Sequence, residues 1–491
     1  MSTTAATGFC RVTVVAPDSR IDVALPEDIA VADVYPEILR LTGQTQPAGA
    51  PTGYHLVRRD GTVLDGARTL AAQQVLDGEV LSLRPFAQSL PPAVFDDVSD
   101  AVASAVTRDR HLWSDDLLRG AGLVGGVLLL VLMGFVLWYA DPVRHDMHSL
   151  PGVIAGAAGV LLTAFAGVRA RVYQDRATAV GLGLGALPLL LIAGSGILAP
   201  EAGQGPGRLQ FLLGCVTVLV ASVALVALTP SGDAPFVAAT FLATVGTLAT
   251  FVAILTEASA TQTAAVCVPV AIGLVAFLPG LSARFARLPI GYASPRSAAD
   301  DEFLADPHQQ AAPDAQPVDG ERIALQARRG HEMLLGLVGG CAAVVVGSSA
   351  VLGFAGNTWG QLLALAAGLA MLLRARLFRY TSQVACVLVA GLAAIALLVL
   401  GLSLNPPVDL VKDLLMYGDR GGLDIRTIWL TAAVAAGAAL VTAIGLIIPR
   451  KGLSPFWGRL LDLTEGFVLL SLVPLCLAVL DVFMRARSLT S

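Results

Sequence analysis

The sequence predicts two parts of different fold class: a short α+β module at the front and, behind it, an all-α membrane domain of about eleven spanning helices. Three observations carry this. Of the 491 residues, 55% are hydrophobic and only 14% charged, with mean hydropathy +0.72. A soluble globular chain is nearer a quarter charged, so most of this one cannot face water. Beyond about position 117 the apolar residues gather into runs long enough to cross a bilayer. Before that point they alternate with polar residues, and sixteen acidic residues stand against nine basic ones up to Asp116. The same figures exclude disordered, collagen-like and disulfide-scaffold classes. An acidic leading segment is a poor phosphate binder, so no nucleic-acid partner is expected.

The front module reads as residues 9–86, after a flexible start at 1–8. Cys10 to Ala16 alternates, Pro17-Asp18-Ser19 is turn chemistry, and Ile21 to Leu25 alternates again. Val31, Val34, Ile38 and Leu41 then fall on one helical face, with Asp28 the expected N-cap, Gly43 the stop and Pro36 an expected irregularity. Strands are expected at Tyr54–Arg58, at Thr62–Leu64 after the Asp60-Gly61 turn, and at Glu79–Arg84, with a short helix around Thr69 to Val75. That order, ββαββ, a short helix, then β, is the order of a β-grasp, ubiquitin-like fold. The chain runs on through Pro85, which excludes a conjugated modifier; a docking adaptor is the remaining reading.

Residues 87–116 read as a linker. Val94, Phe95, Val98, Val102 and Val106 recur at helical spacing opposite Asp96, Asp97 and Asp100, which predicts an amphipathic helix. Its acidic face would be repelled by anionic headgroups, so packing on protein is expected in place of lying on lipid.

Spans are expected at about 120–140, 150–168, 178–199, 209–229, 236–255, 261–279, 333–355, 360–373, 381–402, 427–448 and 466–483. They form a first part, 117–280 with six spans, and a second part, 333–491 with five. Residues 281–332, holding Asp300-Asp301-Glu302, form a polar loop with a helical return from Asp319. With the front module inside, the inner gaps hold fifteen Arg and Lys residues and the outer gaps and tail seven. This bias places the N-terminus in the cytoplasm and the C-terminus outside a bacterial inner membrane. Met1 to Gly8 has no signal-peptide character, which agrees. A surface helix is expected over Val408, Val411, Leu414 and Leu415.

Arg169-Ala-Arg171-Val-Tyr173 follows span two, and Arg374-Ala-Arg376-Leu-Phe378 follows span eight. Six spans apart, the two motifs face the same side. They read either as signs of two same-orientation halves or as ordinary cationic anchors with an interfacial aromatic.

Chemistry in the spans is sparse. Pumps and ion-coupled carriers need ionisable groups in mid-membrane, and these spans hold almost none. Asp481 is expected to pair with Arg485, four residues on. His145 and His148 flank Asp146 in a short gap, where a solvated loop is favoured over a metal site. The six cysteines have no metal-ligand spacing and read as buried apolar fillers. No HExxH, nucleophile elbow or Walker pattern appears, so no catalytic, cofactor or metal site is expected. The spans do carry small-xxx-small pairs, Gly122 with Gly126, Gly152 with Gly156, and Gly181 with Gly185, expected to let helices approach closely.

Taken together, the front module, the linker from Phe95-Asp-Asp-Val98 to Asp109-Arg110, and Arg171-Val-Tyr-Gln174 resemble the EccD family. Arg376-Leu-Phe378 and the tail pattern Ser454-Pro455, Arg459, Leu463 and Glu465 add to the resemblance. These proteins are multi-spanning membrane components of the actinobacterial type VII (ESX) secretion system. The resemblance implies a non-enzymatic scaffold that pairs with itself in the membrane and surrounds a lipid-facing cavity. It also implies docking of an FtsK/SpoIIIE-like (EccC-like) ATPase through the ubiquitin-like domain and loops, with EccB-like and EccE-like components and membrane lipids as further partners. A polytopic solute permease with a cytoplasmic regulatory domain is the alternative; the repeat suits it, and the scarcity of mid-membrane charge counts against it.

Overall fold

The computed structural model describes residues 8–16, 19–43, 54–85, 114–201, 204–229, 233–285, 320–451 and 454–490. The expected linker helix and the middle of the large loop, 286–319, lie outside the described residues. The chain divides into two compact units after Trp113. Ser114 caps the first spanning helix, its hydroxyl accepting a hydrogen bond from the Leu117 N–H at 3.3 Å.

In the first unit, β1 (Phe9–Val15) and β2 (Arg20–Pro26) form a hairpin, followed by α1 (Val31–Leu41), β3 (Tyr54–Arg58) and β4 (Val80–Pro85). The sheet order is β2-β1-β4-β3, with β1 and β4 parallel at its centre. This is the ubiquitin-like β-grasp arrangement. Val12 and Val14 of β1, Leu81 and Leu83 of β4 and Leu56 of β3 meet Val31, Val34 and Ile38 of α1 in one core. Each fully buried Ile or Leu contributes about 2 kcal/mol relative to exposure in water.

Three local expectations are corrected. Asp28 does not cap α1: the first helical N–H groups are taken instead by the 66–68 loop, Val31 bonding Arg68 O and Ala32 bonding Gly66 O. Residues 62–64 form no strand, only a bridge between Val57 and Val63, because Asp60 Oδ1 takes the Thr62 N–H within the turn. Residues 69–75 form turns and no helix. Gln73 folds its side chain back, accepting from the Asp65 N–H and donating to Asp65 O, and Gln74 sits at φ +54. Gly43, at φ +67, does end α1, a conformation glycine adopts without steric cost.

The second unit is helical throughout. In order it holds α2 (Asp115–Trp138), α3 (Leu150–Arg171), α4 (Arg176–Ser195), α5 (Arg208–Leu228), α6 (Ala234–Thr256), α7 (Ala260–Val275) and α8 (Leu278–Phe285). After the large loop come α9 (Gly320–Phe354), α10 (Thr358–Arg374), α11 (Thr381–Leu404), α12 (Val408–Tyr417), α13 (Gly421–Lys451), α14 (Pro455–Val479) and α15 (Val482–Thr490). Among the described residues ten helices are long and apolar enough to cross a membrane, and the count is eleven if the bent pair of α7 and α8 is one span. The protein is a multi-pass membrane protein. The short α12 lies where a surface helix is expected.

Two spans differ from expectation. The sixth is broken, α7 and α8 meeting at 65°. Pro279 has no N–H to offer the Val275 carbonyl four residues back, so the helix ends there. The eleventh runs over Pro455–Val479 and not 466–483. Its first turns carry Arg459, Asp462 and Glu465, which look like loop in a hydropathy window, but Asp462 and Glu465 find partners in the fold. Asp481 then turns the chain at φ +55, and among the described residues it forms no ion pair with Arg485.

Within the unit, α4 lies against α2 and α3, and α11 lies against α9 and α10. The two trios share one adjacency. The long helix α9 packs on α6, α7, α10 and α11 and joins the two parts. Its Val338, Cys341 and Val345 are buried with Val268 and Ile272 of α7 and Ala364 and Ala367 of α10.

Candidate functional site

With α7 and α8 counted as one span, alternating crossings bring six chain segments to one membrane face: the start of α2, the α3–α4 turn, the start of α6, the entry of α9, the α10–α11 turn and the start of α14. Their charges interlock. Asp175 caps α4, accepting from the Thr178 N–H, and receives Arg119 of α2 at 2.6 Å and Arg169 of α3 at 3.4 Å. Hydrogen bonding from Thr178, reinforced by the two arginines, holds its carboxyl below the usual carboxylate range. Arg169 also stands over the Tyr173 ring at 5.3 Å, and Arg171 donates to Ala227 O at the end of α5 at 2.5 Å. One short turn thus ties α2, α3, α4 and α5 together.

Beside it, Arg176 of α4 reaches Glu332 of α9 at 2.6 Å, across 156 positions of sequence. Arg328 approaches the same carboxylate at 3.8 Å. Asp233, preceding α6, faces this cluster. Burial first, and then the Glu332 charge, push its carboxyl above the usual range, against the attraction of Arg329 and Arg176. One turn away, His331 lies against the Tyr380 ring at 4.3 Å and meets the Gln383 amide at 3.3 Å.

The second arginine motif closes the belt on α14. Arg376 contacts Glu465 at 2.9 Å and Asp462 at 3.1 Å, and Arg374 lies 3.9 Å from Glu465. Phe378 is buried, whereas Tyr173 of the first motif is exposed. The motifs are alike in sequence and place but differ in partners: the first takes its carboxylate from its own turn, the second from another span. Magnitudes separate them further. Arg119 is 58% exposed, and such a pair contributes at most about 1 kcal/mol. The side chains of Arg374 and Glu465 are 11% and 18% exposed, so removing either leaves a charge with little water around it.

The opposite face is built differently. Arg208 donates to Ala253 O and Glu257 O at the end of α6, and Arg426 donates to Leu402 O near the end of α11. There, cations meet the free carbonyls of helix C-termini, where they are favoured. His145 stacks on Trp138 and bonds its carbonyl, and His148 bonds Gly196 O. Both histidines serve loop structure, and no cluster able to hold a metal occurs among the described residues.

The glycine pairs separate into three cases. Gly181 and Gly185 of α4 lie against α2, at Leu123, Val127 and Leu130, and Gly156 of α3 lies against Ala193 of α4. Gly152 serves a loop, since Met147 O occupies the space a Cβ would need. Gly122 and Gly126 meet nothing among the described residues, because α2 packs on α4 through its other side. Sequence spacing missed two close backbone approaches, Gly368 with Gly391 and Gly353 with Gly401, because each pair lies on two different helices. It also missed the carboxylates Asp175 and Glu332. Asp175 carries a signal, an acid at a helix start beside an arginine motif, whereas Glu332 lies twelve residues inside α9, just before its apolar stretch.

Residues 118–489 match the EccD-like transmembrane domain. The chain belongs to the EccD family. Residues 9–83 match a second family, the YukD protein of the WXG100 protein secretion system. This EccD-family chain is 28% identical over 488 residues to the ESX-4 secretion system protein eccD4 of Mycobacterium tuberculosis, covering 95% of each chain. It is 27% identical over 244 residues to the ESX-3 secretion system protein EccD3 of the same organism, covering 48% of this chain and 49% of that one. Among solved structures, protomer 1 of an ESX-3 core complex matches with TM-score 0.56 at 19% identity, covering 97% of this chain and all of that one. A chain of an ESX-5 inner membrane complex matches with TM-score 0.51 at 22% identity, covering 88% and 99%. At these identities the two structures speak for the fold alone.

Proposed function

We propose that this protein is a non-enzymatic scaffold and translocation component of a type VII (ESX) secretion complex in a bacterial inner membrane. Its N-terminus is cytoplasmic and its C-terminus extracytoplasmic. The ubiquitin-like module (9–86), the linker helix (87–116) and the large loop (281–332) dock an FtsK/SpoIIIE-like secretion ATPase, and two copies pair through their spans. EccB-like and EccE-like proteins complete the assembly.

The observation that carries this reading is the distribution of charge. Among the described residues, the ion pairs that join spanning helices lie at one end of the bundle, and the apolar centres of the spans hold no Asp, Glu, Lys, Arg or His; Glu465, eleven residues into α14, is tied to Arg376 at that same end. A carrier has to hand ions or protons across the bilayer centre, and these helices offer nothing for that task. An assembly frame needs what is present: spans locked at their ends, with apolar flanks left over. Family membership and the secretion systems to which the relatives belong point the same way.

The test is purification of the tagged full-length chain from its native membrane. An FtsK-like ATPase should co-purify, and deleting residues 1–86 should release it while the spans remain inserted. An ATPase that stays bound to the truncated chain would refute the docking role. Gradient-driven solute uptake by the purified protein in liposomes would favour the permease.

A further inference from the structure

We infer that a cleft between α2, α4 and α5 is a binding site for one acyl chain of a membrane phospholipid. The cleft, of about 540 Å³, is walled by Val131, Phe135 and Trp138 of α2, Pro188 and Leu191 of α4, and Phe211 of α5. Its one hydroxyl, Ser195, is already committed to Ile192 O at 2.7 Å, and the other side-chain donor of the wall is the Trp138 indole N–H. One donor is too little to fix a polar solute in so apolar a cleft, where burying an unpaired polar group would cost several kcal/mol.

Position selects the occupant. The walls are the last two turns of α2 and α4 and the first turn of α5, so the cleft opens sideways in the half of the bilayer opposite the ion-pair belt. At its outer end the chain closes over it. Pro206 and Gly207 line that end, and the Arg144 carbonyl lies against neighbouring Gly205. His148 ties the same two connections together through Gly196 O. A spanning helix of a partner does not fit under this roof. The roof stops a helix seated there from running on to the surface. A flexible hydrocarbon chain can end beneath it. Trp138, at the rim and stacked on His145 at 5.0 Å, sits where indoles gather at the edge of the hydrocarbon.

The five tryptophans provide the test. In one full-length variant Trp138 alone is kept, with Trp113, Trp359, Trp429 and Trp457 changed to Phe. In a second, Trp429, exposed on α13, is the one kept. Each is purified in a steroid-based detergent and titrated with a phospholipid brominated on its acyl chains. Trp138 emission should fall in a saturable step at about one lipid per chain, while Trp429 should be quenched gradually and without saturation. Lipids with zwitterionic and anionic headgroups should give the same step, and an n-alkyl detergent should compete for it. Leu191→Phe and Val131→Phe should each raise the half-saturating lipid concentration at least tenfold. Quenching of Trp138 that follows Trp429 throughout would overturn the inference, whether or not the filled variants fold. So would a step that depends on headgroup charge, or a Trp138 that lipid never reaches because a protein segment occupies the cleft.

Discussion

Arg376 and Glu465, 89 residues apart in sequence, meet at 2.9 Å where the α10–α11 turn touches the first turns of α14. The contact fastens the last spanning helix to the body of the second part. Glu465 also faces Arg374, whose Nε and Nη1 are buried without a hydrogen-bond partner. One carboxylate therefore serves two guanidinium groups, and the more deeply buried of them has little else to lean on.

Replacing Glu465 should thus cost more than replacing Arg376. Glu465→Gln leaves Arg374 uncompensated and should destabilise the protein by about 3 kcal/mol, near the low end for breaking a buried pair. Arg376→Gln, at a more exposed position, should cost about 1 kcal/mol. Adding Arg374→Met to Glu465→Gln should recover most of the loss, because no stranded charge remains. Thermal unfolding in detergent would read all three. Equal losses from Glu465→Gln and Arg376→Gln would mean that Arg374 draws no support from this carboxylate.

Asp175 and Asp233, on the same membrane face, should respond to pH with opposite sign. The folded carboxyl of Asp175 is held low, so its contribution is present above the unfolded value of about 3.9 and disappears as pH falls through its folded value. Asp233 is held high, so its folded state prefers the proton. Stability then declines as pH rises from about 3.9 through the raised value, and the charged form remains a burden above it. Asp175→Asn should lower the melting temperature at pH 7. Asp233→Asn should raise it, since Asp233 makes no capping hydrogen bond to lose. Melting curves of parent and variant between pH 4 and pH 8 would separate the two; a loss of stability in Asp233→Asn at pH 7.5 would contradict the assignment.

Much of this architecture is legible in the sequence because hydropathy acts locally. The apolar centres of the spans, the alternation of β1 and β4, and the turn at Gly43 each depend on a few neighbouring residues. The belt is not local. Whether Asp462 and Glu465 belong to a loop or to the first turns of α14 depends on Arg374 and Arg376, about 90 positions earlier. The same holds for Glu332, whose partner Arg176 belongs to the first part. Residues 69–75 differ for a related reason: the Gln73 side chain is held by the backbone of Asp65, and Gln74 turns to φ +54, which ends the helical bonding after one turn. The repeat was visible as two motifs, while their different partners had no sequence signal.

The orientation proposed above has a direct test in thiol labelling. Gln174 lies on the belt face, and Val143 and Ser488 lie on the opposite one; all three are exposed. In intact cells a membrane-impermeant maleimide should modify Val143→Cys and Ser488→Cys and spare Gln174→Cys until the membrane is opened. The native cysteines are buried or half-buried, which keeps the background low. Labelling of Gln174→Cys alone in intact cells would invert the protein and move the front module outside.

The helix α13 gives the sharpest expectation for self-association. None of residues 421–447 is buried within the chain, although the helix is long and apolar enough to span. Lipid and leucine are equally apolar, so burial of apolar area cannot by itself drive a second copy onto it. Close backbone approach can, and it needs small side chains. Ala432, Ala436 and Ala439 fall on one face of α13, and all are exposed. Introducing bulk there, as in Ala432→Leu with Ala436→Leu, should keep the helix formed and inserted while separating the copies. Native mass in mild detergent should fall from two chains to one, with the melting temperature of each chain little changed. Dimers that survive both substitutions would place the pairing surface elsewhere, with the open Gly122 and Gly126 face of α2 the next to examine.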